Sequence, residues 1–206
     1  LTKYELREMI RTKKIAPKKR LASVELPIAA KGGLLWGSSE ATTTIVMFTD
    51  IECPFCKRFH PTMQRVLAEY GDRVAWVYRH LPLDVLHSKA RREAEASECA
   101  AELGGNKGFW AYVDRLFEVT PSNDGLDPAE LPKIAVAVGL PKAPFEACLA
   151  SGRHAARVQA DVEDAQNAGA RGTPYSVVIA RDGKKYVIEG ALPYDRVQLI
   201  IDQALR

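Results

Sequence analysis

Two cysteines in the segment TIVMFTDIECPFCKRFHP have the spacing of a reactive pair. Cys53 and Cys56 are separated by Pro54 and Phe55, where an apolar run meets a basic segment that is compatible with a helix. A C-x-x-C pair can bind metal, form a structural disulfide or exchange disulfides. Zinc sites usually add a second close pair of Cys or His, and only His60 lies near this one. The spacing therefore favours a redox pair, and we expect no metal and no cofactor.

The elements around the pair predict where it lies in the fold. Residues 43–49, TTIVMFT, are β-branched and aromatic without alternation, which is typical of a strand buried on both faces. Pro54 suits the first turn of a helix, where its missing N–H costs nothing. Apolar residues then recur at helical spacing as far as Gly71. Cys53 is thus predicted at a helix N-terminus, with Cys56 one turn inside.

This placement has a chemical consequence for the two thiols. Unpaired N–H groups and the helix dipole stabilise a thiolate at a helix N-terminus, so the pKa of Cys53 is expected to lie below the ordinary value of about 8.5. Cys53 is therefore the predicted nucleophile. Cys56 lies on the same helix face, so it can close a disulfide with Cys53 or resolve a mixed disulfide formed there.

The rest of the 206-residue chain predicts an α/β fold. RVAWVYRH reads as a second strand and completes a strand, helix, strand unit with a parallel pair. From about residue 88 to 167 five helical patterns follow, punctuated by proline and glycine, and the first two are KARREAEASECAAEL and KGFWAYVDRLFEV. Two strands, YSVVIA and KYVIEG, and an amphipathic helix end the chain.

The chain resembles the DsbA-like thiol-disulfide oxidoreductases of the thioredoxin-fold superfamily. The similarity is carried by FTDIECPFCKRFHP, VYRHLPL, KGFWAYVDRLF and above all GTPY. It implies a thioredoxin fold with an inserted helical domain: residues 34–82 and 171–206 form the thioredoxin-like domain, and residues 83–170 form the insertion. Residues 1–33, an N-terminal helix and basic linker, lie outside the resemblance.

The same resemblance implies the substrate-binding residues. Pro174 is expected to be a cis proline beside the redox pair, with Thr173 offering backbone groups to an extended substrate strand. Pro54 and Phe55, between the cysteines, are expected to complete the binding surface.

Two features depart from the pattern that the resemblance implies. The DsbA oxidases often carry Pro-His between the cysteines, so Pro-Phe predicts a less oxidising pair. Many thioredoxin-like proteins also carry a buried carboxylate where this chain has Met47. Asp50 and Glu52 are nearer to the pair. We interpret Asp50 as a turn cap and Glu52 as a solvated side chain.

The remaining cysteines, Cys99 and Cys148, fall in two different helices of the predicted insertion. They are either two buried thiols or a structural bridge. Since the resemblance implies an extracytoplasmic, oxidising setting, where disulfides persist, we expect a disulfide between them.

The leading functional hypothesis is a DsbA-like oxidase that transfers disulfides to unfolded or partly folded cysteine-containing proteins in the periplasm or another extracytoplasmic space. A membrane redox partner would reoxidise the pair. The alternative of the same fold is a disulfide isomerase or reductase, whose partner would keep the pair reduced. A Cu(I) metallochaperone that uses both thiolates is a third hypothesis. It would not explain the expected cis-proline loop at Thr173 and Pro174.

Charge is concentrated at the start of the chain. Residues 1–20 hold eight basic and two acidic side chains, so this segment carries +6 and the rest −3 of the net +3. We therefore expect no nucleic-acid partner for the globular part. The first helix is either a flexible tail or an element for homo-oligomers or a membrane surface. No run of 18 apolar residues occurs, and a chain that does not begin with Met is expected to lack its targeting segment.

Overall fold

A computed structural model describes residues 34–206 of the chain. The expectations for the N-terminal helix, the linker and self-association through residues 1–20 lie outside the described residues. The first part of the fold contains β1 (Leu35–Trp36), β2 (Thr43–Thr49), α1 (Pro54–Tyr70) and β3 (Val74–His80). Four helices follow: α2 (Ala90–Val119), α3 (Leu131–Ala137), α4 (Lys142–Ser151) and α5 (Ala155–Ala168). The last elements are β4 (Tyr175–Ile179), β5 (Lys185–Glu189) and α6 (Tyr194–Ala204).

The strands form one mixed sheet in the order β1-β3-β2-β4-β5. β2 and β3 are parallel, as the sequence predicted, and Ile45 lies opposite Trp76. β4 pairs antiparallel with the other side of β2. β2 is therefore the central strand, and its C-terminal end brings the turn before Cys53 beside the N-terminal end of β4.

Both faces of the sheet are covered, which explains the continuous apolar pattern of β2. Ile45 and Met47 face the larger cluster, which includes side chains of α1, α2 and α6. Val46 and Phe48 face a smaller cluster with side chains of α5. The sheet is therefore packed on both faces, and its central strand β2 leads into the turn before α1.

The helices α2 to α5 lie between β3 and β4 in the chain. The sequence predicted two helices across residues 89–119, and the structure confirms this: α2 consists of two helical segments separated by a kink at Gly105, where φ is 62°. Glycine adopts such a positive φ without steric cost. A disulfide joins Cys99 of α2 to Cys148 of α4. Where the insertion begins and ends, at residues 83 and 170, remains a prediction.

Candidate redox site

Cys53 caps the N-terminus of α1. Its backbone is extended, with φ −77° and ψ 119°, and Pro54 begins the helix. The Cys53 N–H donates to the Asp50 carbonyl at 3.2 Å, and the Cys53 carbonyl accepts from the Lys57 N–H at 3.0 Å. Cys53 is 4% exposed and Cys56, one turn further, is 2% exposed. Both are free thiols, so the structure places the predicted pair at one helix end.

The loop before β4 reaches the same point. The Cys53 Sγ lies 3.6 Å from the Thr173 carbonyl oxygen, 120 residues along the chain. The Thr173–Pro174 peptide bond is cis. The pairing of Phe48 with Tyr175 explains this proximity, because it aligns the end of β2 with the start of β4. The two segments that the resemblance linked are therefore in direct contact.

The two thiols have opposite pKa shifts. The hydrogen bond from Cys56 is the largest cause that lowers the pKa of Cys53, and the Thr173 hydroxyl and the N–H groups of Cys56 and Phe55 add to it against the effect of burial. The pKa of Cys53 falls from 9.0 to about 6. Burial, followed by the hydrogen bond and charge of Cys53, raises the pKa of Cys56 well above its ordinary value. At neutral pH the pair therefore holds one thiolate and one protonated thiol.

Asp50 does more than cap the turn. Its Oδ1 accepts from the Glu52 N–H at 2.8 Å, as a turn cap does. Its Oδ2 accepts from the Leu83 N–H at 2.8 Å and lies 2.9 Å from His87 Nδ1. Burial raises the pKa of Asp50. For His87, burial lowers the pKa, but the hydrogen bond and charge of Asp50, with the charge of Cys53, outweigh it and raise the pKa. The sequence analysis did not predict this contact, because Asp50 and His87 lie 37 residues apart.

The interpretation of Glu52 as a solvated side chain is wrong. Its carboxylate is fully buried and accepts from the Thr120 hydroxyl at 3.1 Å and from the N–H groups of Gly125 and Leu126 at 3.2 and 3.4 Å. Its carbonyl accepts from the Asn123 N–H at 2.8 Å. A buried carboxylate needs such donors, and all of them come from a loop about 70 residues downstream.

Three large apolar side chains are exposed near this end of the sheet. Phe55, between the cysteines, is 53% exposed, and Val85 and Leu86, in the loop after β3, are 99% and 69% exposed. The same loop is bonded to Asp50 through Leu83 and His87. Pro54 is also exposed, whereas Thr173 is half-buried and Pro174 is buried.

Two further histidines have partners within the fold. His60 Nε2 lies 2.6 Å from Asp114 Oδ1, and His80 Nε2 lies 3.0 Å from Glu98 Oε1. Two groups of residues 34–206 bring potential metal ligands together: Cys99, Cys148 and His154; and His80, Glu98 and Asp161. The first contains the disulfide, and Asp161 of the second is bonded to the guanidinium groups of Arg79 and Arg157. Neither group offers a free set of ligands.

A mixed sheet that brings a C-x-x-C helix terminus against a Thr-Pro loop defines a protein of the thioredoxin-like, thiol-disulfide oxidoreductase class. The comparisons agree. A family model described as "Thioredoxin" matches residues 29–203, and the chain belongs to that family, as a DsbA-like thiol-disulfide oxidoreductase.

Solved structures give the more specific likeness. DsbA2 of Pseudomonas aeruginosa is 30% identical with a TM-score of 0.74, and the match covers 86% of this chain and 97% of that one. BdbD from Bacillus subtilis, in its oxidised form, is 25% identical with a TM-score of 0.72, covering 85% and 94% of the two chains.

The chain is also similar to one part of much longer proteins that are named as antiporters. The Na(+)/H(+) antiporter NhaA 3 of Salinispora tropica is 38% identical over 145 residues, which is 70% of this chain but 21% of the antiporter. The chain thus spans about a fifth of that relative. Between residues 34 and 206, no helix has the length and apolarity needed to cross a membrane.

Proposed function

We propose that this protein is an extracytoplasmic oxidase that donates a Cys53–Cys56 disulfide to thiols of folding proteins. The observation that carries the proposal is the asymmetry of the pair: the Cys53 thiol has a pKa of about 6 and the Cys56 thiol is buried and protonated. A stabilised thiolate favours the reduced form of the enzyme, and an enzyme that prefers to be reduced oxidises its substrates.

The reaction has two exchange steps. A substrate thiolate attacks the Cys53 sulfur of the oxidised pair, the bond between Cys53 and Cys56 breaks, and Cys56 leaves with the electron pair. A second substrate thiolate then attacks the substrate sulfur of the mixed disulfide and expels Cys53. The low pKa of Cys53 makes it a good leaving group in this second step. The substrate gains a disulfide, and the enzyme is left with two reduced cysteines for a membrane redox partner to reoxidise.

The surface around Cys53 supports unfolded chains as substrates. Thr173 is half-buried beside the sulfur and can offer backbone groups to an extended strand. Exposed Phe55, together with the Val85 and Leu86 loop, supplies apolar contacts of the kind that unfolded chains present. The disulfide between Cys99 and Cys148 supports an oxidising, extracytoplasmic compartment such as the periplasm.

One observation favours the isomerase or reductase alternative. A pKa of about 6 for Cys53 lies between the values of roughly 3.5 and 7 that accompany strongly oxidising and reducing members of the superfamily. A Cys53 pKa closer to 3.5 than to 7 would be typical of a strong oxidase.

The test is the reduction potential of the pair, measured by equilibration with glutathione at pH 7. Equilibration is followed by trapping the thiols and measuring mass, and a variant with Cys53→Ser serves as the inactive control. We expect a potential between those of protein disulfide isomerase and DsbA, roughly −180 to −120 mV, with rapid oxidation of a reduced dithiol peptide. A potential near that of thioredoxin, about −270 mV, would reject the oxidase in favour of the reductase.

A further inference from the structure

The exchange reaction places a negative charge on the buried sulfur of Cys56. When a substrate thiolate attacks Cys53 of the oxidised pair, the Cys56 sulfur leaves with the electron pair. Cys56 is 2% exposed, so its sulfur is shielded from bulk water, and burial raises the pKa of its thiol well above the ordinary value. A thiol with a lower pKa leaves faster. The rate of this step therefore depends on the hydrogen-bond donors that the fold supplies around the Cys56 sulfur.

A main-chain N–H group points at the Cys56 sulfur. The Asp50 N–H donates to the Cys56 Sγ, with 3.5 Å between the nitrogen and the sulfur, and this contact is buried. The Asp50 side chain holds the residue in place, because its two carboxylate oxygens accept from the N–H groups of Glu52 and Leu83, both at 2.8 Å. The donor is thus oriented before any charge forms on the sulfur.

The residue before Asp50 offers a second donor. Thr49 ends β2 and is 2% exposed. Side chains alternate along a strand, so Thr49 faces the same side of the sheet as Met47, where Cys56 is also packed. Burial and Cys53 raise the pKa of the Cys56 thiol, and hydrogen bonding from the Thr49 hydroxyl lowers it. In the resting structure this hydroxyl has no hydrogen-bond partner among residues 34–206, which costs free energy, and a charged Cys56 sulfur would give it an acceptor.

The Thr173 hydroxyl is a further donor beside the pair, but it acts on both sulfurs. After the hydrogen bond from Cys56, it lowers the pKa of Cys53, and against the effect of burial it also lowers the pKa of Cys56. It therefore stabilises a charge on either sulfur. The Asp50 N–H donates to the Cys56 sulfur, and Thr49 precedes it on the same face of the sheet as Cys56, so these two groups favour charge on the sulfur that leaves.

We propose that the Asp50 N–H and the Thr49 hydroxyl form a preorganised donor pair that stabilises Cys56 as it leaves as a thiolate, as an oxyanion hole does for a developing oxyanion. This inference rests on the proposed function. A bond forms between the substrate sulfur and Cys53, the bond between Cys53 and Cys56 breaks, and Cys56 keeps the electron pair of that bond. In the second exchange step Cys53 is the leaving group and Cys56 takes no part. The donor pair therefore accelerates the first step and not the second.

The test is Thr49→Val in the full chain, which removes the hydroxyl and keeps the branched shape of the side chain. The first step is the attack of a peptide with one thiol on the oxidised protein, followed by acid quenching and mass measurement. Its rate constant at pH 7 should fall roughly tenfold, the low end for a hydrogen bond to a charged group. Thr49→Ser, which restores the hydroxyl, should recover most of the rate.

Two properties of the Thr49→Val protein should stay unchanged. The ultraviolet titration of Cys53 should keep its midpoint near pH 6, because the hydrogen bonds that lower the pKa of Cys53 come from Cys56, Thr173 and Phe55. The equilibrium with glutathione at pH 7 should also be the same, because Cys56 is protonated in the reduced protein at that pH. A distorted helix terminus would move both, so these measurements separate stabilisation of the leaving sulfur from a structural effect.

The chain offers a matched control on the same strand. Thr43, at the other end of β2, is 1% exposed, and its hydroxyl also has no hydrogen-bond partner in the described part of the chain. Six residues of strand place it about 20 Å from Thr49, so Thr43→Val should leave the first step at the unmodified rate. The second step is isolated in a Cys56→Ser background, by attack of a thiol on a peptide bound to Cys53. Its rate should not depend on Thr49→Val.

The main-chain donor is tested by a backbone ester. An ester in place of the amide between Thr49 and Asp50 removes the N–H that faces Cys56 and keeps every side chain, and it should also slow the first step roughly tenfold. The matched control is an ester between His80 and Leu81. It removes the hydrogen bond of 2.8 Å from the Leu81 N–H to the Thr49 carbonyl, which does not involve a sulfur, and it should leave the rate unchanged.

The outcomes separate the inference from the proposed function. If the unmodified protein exchanges disulfides and Thr49→Val reacts at the same rate, the inference alone is overturned. Equal slowing of both steps, or no recovery in Thr49→Ser, also overturns it, because either result indicates a structural effect. If Thr49→Val does not fold, the Asp50 ester decides: a slower first step supports the inference and an unchanged one overturns it. Failure of the unmodified protein to exchange disulfides with any peptide would overturn the proposed function itself.

Discussion

The Cys53 thiolate should make the stability of the reduced protein depend on pH. The pKa of Cys53 falls from 9.0 to about 6, chiefly through the hydrogen bond from Cys56. Each pKa unit corresponds to about 1.4 kcal/mol, so the complete shift stabilises the folded, reduced protein by roughly 4 kcal/mol above pH 9. At pH 7 the contribution is about 1.4 kcal/mol, and at pH 5 it is below about 0.1 kcal/mol.

The sign follows from the direction of the shift. The pKa is lower in the folded than in the unfolded protein, so the stabilisation is complete above the unfolded pKa and is lost as the pH falls through about 6. The perturbation is Cys53→Ser, which removes the titrating group and little volume. His87 titrates nearby, but it is present in both proteins, so most of its contribution cancels in the difference.

The assay is guanidinium unfolding of both proteins under reducing conditions at pH 5, 6, 7 and 8. The difference in the free energy of unfolding should grow by about 1.4 kcal/mol from pH 5 to 7 and by about 1.3 kcal/mol more at pH 8. Ultraviolet thiolate absorbance should give a midpoint near pH 6 in the unmodified protein alone. A difference that stays constant from pH 5 to 8, or a midpoint at or above pH 8.5, would refute the reasoning. The same 1.4 kcal/mol raises the reduction potential by about 30 mV at pH 7.

Three further predictions concern other parts of the chain. Replacing Cys99 and Cys148 with Ala should lower the free energy of unfolding by roughly 4 kcal/mol, because the bridge closes a loop of 49 residues, while peptide oxidation persists; equal stability of both proteins would contradict this. Phe55→Ala should raise KM for apolar dithiol peptides without moving the Cys53 titration, since Phe55 is exposed; an unchanged KM would remove Phe55 from the binding surface. A chain that starts at residue 21 should keep its rate of peptide oxidation. Light scattering of the full and shortened chains should show whether residues 1–20 are needed for oligomers. Loss of peptide oxidation in the shortened chain would contradict the prediction that the reaction needs only residues further along the chain.

Much of the fold could be predicted because its signals are local. The central strand, the helix after Pro54 and the parallel strand pair all follow from apolar runs and helical spacing within a few residues. The redox pair could be predicted for the same reason, because the spacing of Cys53 and Cys56 and the helix start at Pro54 are local features. The sequence also predicted two helical patterns on either side of Gly105, and the kink at Gly105 separates two helical segments.

The environment of the thiols was decided by the tertiary structure. Asp50 contacts His87 and Glu52 contacts Thr120, partners that lie 37 and 68 residues further along the chain. The sequence around Glu52 resembles a solvated loop. Burial and hydrogen-bond donors set whether a carboxyl group is ionised, and both are supplied by segments that meet only when the chain folds. The sequence by itself therefore determined which sulfurs can react, and the packing of the loop after α2 against the turn at Cys53 determined the environment of the carboxyl group beside them.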